Sequence, residues 1–426
     1  MNTKKKDNGA LIRLNIHNIL YEIYKSNLNL ESRSLKKYYN NFDDRDKSFI
    51  KNVCLNTMRY YFHTSLIIKK YLKKKTNIHE NLLLSSAITQ IVYLEFRDYA
   101  VINSTVEVAK KLNLYAGLIN ASLKNINKNK EKLKKLKLSI KDLPNWFQKN
   151  TKHILKKEIE KLLNTFFEQG SLHIVFKGEK ELLDFEKKLI KTSNKSGFII
   201  DRKNIFDLKS FNEGNWWVQD FSSSFPLMYL SEKEIHGNSI DFCSAPGGKA
   251  FQVLSNKIKI TLNDINKVRI KKLKENLKRL KFNEKILSEN ALNLSEKNKY
   301  DFIIIDSPCS AVGTLRKNPE ILFKKKQPNL YNLNVLQESL INKASILLKE
   351  KGVILYMVCS FLENETTDQI NKFLEKNKNF KILNIYENKI SLKYHKLIKN
   401  NYMHTLPTSI NGFNIDGYFA IYLKKI

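Results

Sequence analysis

Cysteine, arginine and acidic residues are all scarce in this 426-residue chain, and no run of apolar residues is long. Four cysteines (Cys54, Cys243, Cys309, Cys359) are too few for a disulfide framework, so each is read as a reduced thiol, buried or reactive. No stretch approaches the roughly 18 uninterrupted apolar residues of a membrane span, which excludes an integral membrane protein of the helical kind. The N-terminal stretch MNTKKKDNGALIRLNIHNIL shows neither the apolar core nor the small-residue cleavage site of a secretory signal, so the expected compartment is the cytoplasm. The eight histidines show no metal-ligand spacing with the cysteines, and no metal is expected. Internal repeats are also lacking.

What is present is a soluble composition, with 42% hydrophobic and 27% charged residues, enough apolar material for real cores in two or three domains. Lysine and arginine outnumber aspartate and glutamate by 75 to 42, a net charge of +33. A surplus of that size attracts a polyanion, and nucleic acid is the leading partner. Only nine of the basic residues are arginine, so part of the surplus reflects a lysine- and asparagine-rich composition spread over solvated surface.

From Ala10 to about Lys137 the pattern is helical. Ile12, Ile16, Ile19 and Ile23 share one face, and no proline interrupts the region. It closes on a lysine-rich segment, 124–137, which reads as an exposed helix end or a phosphate-tracking face. Alternation in SLHIVFKG and SGFIIDR predicts a small sheet with helices between 138 and about 215. Beyond Trp216, short apolar strands (SIDF, KITLND, KILSEN, YDFIIID, GVILYMV) alternate with amphipathic helices marked by Leu273, Leu277 and Leu280 and by Leu336, Leu340, Ala344 and Leu347. That alternation predicts a doubly wound parallel sheet with its ligands at the carboxyl ends of the strands. The expected division is 1–137, 138–215 and 216–426.

The first of these strands runs into Asp241-Phe242-Cys243-Ser244-Ala245-Pro246-Gly247-Gly248-Lys249 and then a helix. Paired glycines at a strand-to-helix turn let a ligand approach the backbone, and the helix start offers free N–H donors. The next strand ends in Asp264, where an acid holds ribose hydroxyls in such sheets. Glycine pair and acid together have the layout of an adenosyl-cofactor site. Asp306-Ser307-Pro308-Cys309-Ser310 and Val358-Cys359-Ser360 then close two more strands, which would turn two thiols into the same crevice.

These motifs resemble those of the Sun (Fmu) type RNA cytosine-C5 methyltransferases, most closely the bacterial 16S ribosomal RNA enzymes with a NusB-like N-terminal domain. The family's DxCAAPGGK loop is here DFCSAPGGK; its DAPCSxxGxxRxxP run is DSPCSAVGTLRKNP, through Arg316 and Pro319; its TCS is VCS. Val218-Gln219-Asp220-Phe221-Ser222 matches its VQD-x-S segment and Asp416-Gly417-Tyr418-Phe419 its DGFF, while Arg45-Asp46-Lys47 and Gly117-Leu118-Ile119-Asn120 match NusB-like segments. The chain departs from the pattern at Val358, at Asn290 where an aspartate is usual near the adenine, at Glu363-Asn364-Glu365 for PEEN, and at HIVFKG for the middle-domain LRxN strand.

The resemblance implies an all-α NusB-like N-terminal domain, a small α+β middle domain and a C-terminal α/β Rossmann-like methyltransferase domain. It implies S-adenosylmethionine held by Cys243, Ser244, Ala245, Pro246, Gly247, Gly248, Lys249, Asp264, Asn290 and Asp306. RNA, most closely 16S ribosomal RNA, is the implied partner, with no membrane and no obligate protein partner. Cytosine C5 is a poor nucleophile; a thiolate added to C6 makes it reactive. By resemblance Cys359 makes that bond, while Cys309 assists C5-proton removal and enzyme release. The residues alone leave the two roles open, because DNA enzymes of this chemistry use a Pro-Cys cysteine, which would be Cys309. Lys249 and Arg316 are candidates for phosphate or for structural contacts, and a carboxylate at Asp306 would accept from the cytosine N4 amine. Two rivals stand beside this reading: a methyltransferase for tRNA or another RNA, and a non-catalytic ribosome assembly factor.

Overall fold

Ile12, Ile16, Ile19 and Ile23 are all buried along the helix Thr3–Lys25 of the computed structural model, which describes residues 3–26, 28–72, 75–201, 204–228, 237–384 and 391–426. Further helices follow at Asp44–Arg59, Tyr61–Tyr71, Ile78–Ile88, Asp98–Lys111 and Ala116–Lys128. Their starts are written in short polar residues: Asp43 accepts from Asp46 N at 2.7 Å, and Asn77 with Glu80 forms a reciprocal capping box. Cys54 lies in this helical core, and burial pushes its thiol well up, as suits a structural residue. Every lysine of 124–137 is exposed.

The chain gathers into two compact units, Met1–Phe167 with Leu315–Pro328, and Glu168–Thr314 with Asn329–Ile426. The region expected between 138 and 215 is therefore shared: its helices Asn145–Asn150 and Lys156–Thr165 lie in the first unit and its sheet in the second. Leu315–Pro328 is anchored in the helical unit by Phe323, whose ring meets Tyr24 and Tyr61 with centroids 5.7 and 4.8 Å away. Lys325 N also donates to Tyr24 O at 3.0 Å.

The second unit begins with a four-stranded antiparallel sheet made of β1 (His173–Phe176), β2 (Leu189–Ser193), β3 (Ser196–Ile199) and β4 (Trp216–Val218), in the order β2-β3-β1-β4. Next come β5 (Ser239–Asp241), β6 (Thr261–Asn263), β7 (Ile286–Leu287), β8 (Tyr300–Asp306) and β9 (Leu348–Val358), which pair in parallel. The runs FIII and VILYMV are buried throughout, as central parallel strands require. Leu273, Leu277 and Leu280 face the core from Lys267–Leu280, and Leu340, Ala344 and Leu347 from Leu330–Leu347.

The sheet is mixed rather than wholly parallel. Its C-terminal strands, β10 (Phe380–Ile382), β11 (Ile398–Lys399), β12 (Tyr402–Thr405) and β15 (Tyr418–Lys425), pair antiparallel, with a separate hairpin of β13 (Thr408–Ile410) and β14 (Phe413–Ile415). The described order is β11-β12-β15-β9-β8-β5-β6-β7, with β10 on β15. Periodicity could not reveal this, because a buried strand reads the same in either direction. No helix among the described residues is long and apolar enough to cross a membrane.

Candidate active site

Strand order reverses at β5, which has β6 on one side and β8 on the other, and a crevice opens at the carboxyl ends of a sheet at such a point. The loop 243–249 fills its floor. Cys243 N donates to Asp241 Oδ1 at 3.2 Å, Ser244 N to Asn263 O at 2.8 Å and Ala245 N to Asp264 Oδ2 at 3.3 Å. Gly247 adopts φ +118°, and a Cβ there would run into the Phe251 ring, so glycine is required on both counts. The helix Gly248–Ser255 starts immediately after it.

Asp264 is 2% exposed; its Oδ1 accepts from Asn266 N at 2.9 Å and its Oδ2 pairs with Arg269 at 3.3 Å. Arg269 also donates to Ala245 O, tying acid and loop together. Asn290 uses its carbamoyl oxygen to cap the turn Ala291–Asn293, through Leu292 N at 3.1 Å. Asn263 escaped the sequence reading: its amide bonds Phe242 O, Glu289 O and Glu289 N, each at 3.1 Å, and so sets the spacing between the first loop and the end of β7. Ser307 Oγ is buried with no partner among the described residues. A glycine-lined cradle and a buried carboxylate hydrogen-bonded to it fit an adenosyl cofactor.

Burial, then the charge of Asp306, push Asp241 up to about 7. Burial first, then the charges of Asp241, Asp306 and Asp264, push the Cys243 thiol far up, so it stays neutral. Lys249 forms an ion pair with Asp306 at the end of β8. Burial opposes the Lys249 charge, but Asp306, Cys359 and Asp241 outweigh it and its pKa rises. Tyr418 on β15, read from the sequence only as part of the closing DGYF segment and given no role there, donates to Asp306 Oδ1 at 3.3 Å. Arg316 is 1% exposed and its carbonyl accepts from Arg59 at 2.9 Å, which favours its structural role.

The two cysteines meet. Cys309 and Cys359 place their Sγ atoms 3.4 Å apart, within sulfur hydrogen-bond reach. The hydrogen bond with Cys359, burial, and the charges of Cys359 and Glu365 all raise the Cys309 pKa well above its ordinary value. Cys359, Asp306, Lys249, Tyr418, Thr314 and Trp217 border one cavity of about 510 Å³. The distant motifs converge on it through the backbone: Gly313 N donates to Cys359 O at 3.1 Å, Gly417 N to Gly313 O at 2.9 Å, and Ser222 Oγ to Asp416 O at 2.7 Å.

Residues 228–424 match the family described as 16S rRNA methyltransferase RsmB/F, and residues 11–128 match the NusB family. The chain is 25% identical over 389 residues to ribosomal RNA small subunit methyltransferase B of Vibrio vulnificus (strain YJ016), covering 85% of this chain and 90% of that one. The protein of the same name from Photorhabdus laumondii is 27% identical over 376 residues, covering 82% and 87%. Among solved structures, PH0851 superposes with a TM-score of 0.70 at 19% identity, covering 98% of this chain and 99% of its own. NSun6 from Pyrococcus horikoshii with SFG superposes at 0.54 and 17% identity, covering 65% and 97%. The chain therefore carries a NusB-family domain over residues 11–128 and, over residues 228–424, a methyltransferase domain of the S-adenosylmethionine-dependent RsmB/F kind, the Sun (Fmu) type.

Proposed function

We propose that this protein methylates C5 of a cytosine in 16S ribosomal RNA through a covalent bond between Cys359 and C6. The observation that carries the reading is the 3.4 Å contact of the two thiols beside the Lys249–Asp306 pair. The loop 243–249, Asp264 and Asn290 hold the cofactor, which when bound supplies an electrophilic methyl group. Cys359 and Lys249 border the same cavity, so the sulfur is open to a base placed there. Addition of the Cys359 thiolate to C6 pushes electron density to C5, which takes the methyl. Asp306 accepts from the N4 amine, which distinguishes cytosine from uracil.

Cys309, 3.4 Å from Cys359, is placed to assist removal of the C5 proton; as that proton leaves, its bonding pair forms the C5–C6 double bond, the C6–S bond breaks and Cys359 departs with its electron pair. The exposed lysines of 124–137 and the +33 charge suit the RNA, and the names of the curated relatives favour the ribosomal small subunit. Cytoplasmic location belongs to the same reading.

The test is denaturing electrophoresis of each cysteine variant after incubation with S-adenosylmethionine and 16S RNA. Cys309→Ala should accumulate a slow-migrating covalent complex, because elimination stalls. Cys359→Ala should give no complex and no methyl transfer, yet bind cofactor and RNA. A complex from Cys359→Ala and none from Cys309→Ala would reverse the roles.

A further inference from the structure

Cys309 and Cys359 lie just beyond the neighbouring parallel strands β8 and β9, whose register ends with Asp306 opposite Met357; that pairing brings the two loops near each other without fixing the distance between the thiols. The contact has a cause lower in the fold. Glu365, in the turn Glu363–Glu365 after the second cysteine, is fully buried. Its Oε1 accepts from Ser310 N at 2.7 Å and from Gln337 Nε2 at 3.2 Å. Its Oε2 accepts from the hydroxyls of Ser310 and Ser360, at 2.5 and 2.6 Å. Ser310 follows Cys309 and Ser360 follows Cys359, so one carboxylate grips the residue next to each thiol.

Glu365 is itself held from two sides. Tyr356 Oη on β9 donates to its carbonyl at 2.9 Å, and Gln337, which bonds its carboxylate, also donates to Pro308 O at 3.0 Å, just before Cys309. The two serine hydroxyls lie 3.4 Å apart, the same separation as the two sulfurs one residue earlier. A buried carboxylate is costly unless its lone pairs are used, and four donors use them here.

We propose that Glu365 is a positioning residue that sets the spacing of Cys309 and Cys359 by clamping Ser310 and Ser360. It acts through the two loops and touches neither sulfur's reaction partner. The proposal rests on the paired-thiol reading of the site, but its central readout is independent of methyl transfer. Glutamine at this position could keep the whole clamp: its oxygen would accept from Ser310 N and Gln337, and its amide would donate to two hydroxyls able to turn and accept.

The experiment measures how fast diamide joins Cys309 to Cys359. Two thiols lose two protons and two electrons, the azo reagent is reduced to its hydrazine, and peptide mass spectrometry identifies the disulfide. Wild type should form the bond readily, Glu365→Ala at least about tenfold more slowly, and Glu365→Gln within a few-fold of wild type, since small misplacements of reacting groups cost up to about a hundredfold. Methyl transfer should follow the same order, with kcat falling in Glu365→Ala and KM for RNA and cofactor little changed. If Glu365→Ala does not fold, Ser310→Ala/Ser360→Ala removes the two hydroxyl contacts while leaving the carboxylate, and should slow crosslinking by an intermediate factor. Crosslinking at the wild-type rate in these variants, or absent from wild type, would overturn the proposal. A Glu365→Gln variant as impaired as Glu365→Ala would also overturn it, pointing to a role for the charge instead. Crosslinking that depends on Glu365 in a protein without cytosine methylation would leave the clamp standing and reject the C5 reading.

Discussion

Gly313 and Gly417 meet backbone to backbone: Gly417 N donates to Gly313 O at 2.9 Å, and a Cβ on Gly313 would overlap the Gly417 carbonyl and lie 3.0 Å from Cys359 O. The segment after the first cysteine, the closing DGYF segment and the second cysteine are thereby fitted with no space for a methyl group. Gly313→Ala should cost about 1–3 kcal/mol of stability, as overpacking does, and lower methyl transfer more than cofactor binding. Thermal unfolding beside a transfer assay checks this; an unchanged melting temperature with full activity would refute it.

Asp264 is the buried acid proposed to hold the cofactor. Asp264→Ala should weaken S-adenosylmethionine binding by about 1.5–3 kcal/mol, roughly tenfold to a hundredfold, the worth of hydrogen bonds to a charged group. Calorimetry is the measurement, and an unaltered affinity would remove this residue from the site.

Binding of RNA should depend steeply on salt. With +33 net charge and exposed lysines along 124–137, affinity should fall by orders of magnitude between about 50 and 200 mM monovalent salt. Replacing Lys128, Lys132 and Lys135 with glutamine should flatten the slope. A flat profile in the unaltered protein would show that the lysines are solvated surface only.

Acid should loosen the helical unit. Burial, with the charge of His79 added, lowers His17 to about 4, and burial lowers His63 to about 4 despite the charge of Asp142. Both pKa values are below the ordinary 6.5, so the unfolded chain binds more protons between about pH 6.5 and 4. Stability therefore falls as pH drops through that window, by up to about 3 kcal/mol per histidine at its acid end. Denaturant midpoints at pH 7.5, 6 and 5 test this, and equal midpoints would contradict it.

Much of the architecture was legible because it is written locally. Ile12, Ile16, Ile19 and Ile23 repeat at helical spacing and are buried on one helix, and the run YDFIIID is a central strand. The loop 243–249, Asp264, Asp306, Cys309 and Cys359 could be placed at strand ends because each lies at the end of an apolar run or within a few residues of it. Other features carry no local mark. Lys249 and Arg316 were indistinguishable as basic residues in motifs, yet one pairs with Asp306 and the other is buried in the helical unit.

The sequence by itself determined which segments are helices and strands, where the glycine turn falls, and which side chains end each parallel strand, because backbone preference and hydrophobic period depend on near neighbours. Tertiary structure alone decided that β15 runs antiparallel beside β9, that Leu315–Pro328 packs into the helical unit, and that Asn263, Tyr418 and Glu365 belong to the site. It also decided the 3.4 Å contact between two thiols 50 residues apart. Such pairings arise from which surfaces are buried against one another after the chain closes long loops, and no local pattern of residues encodes that.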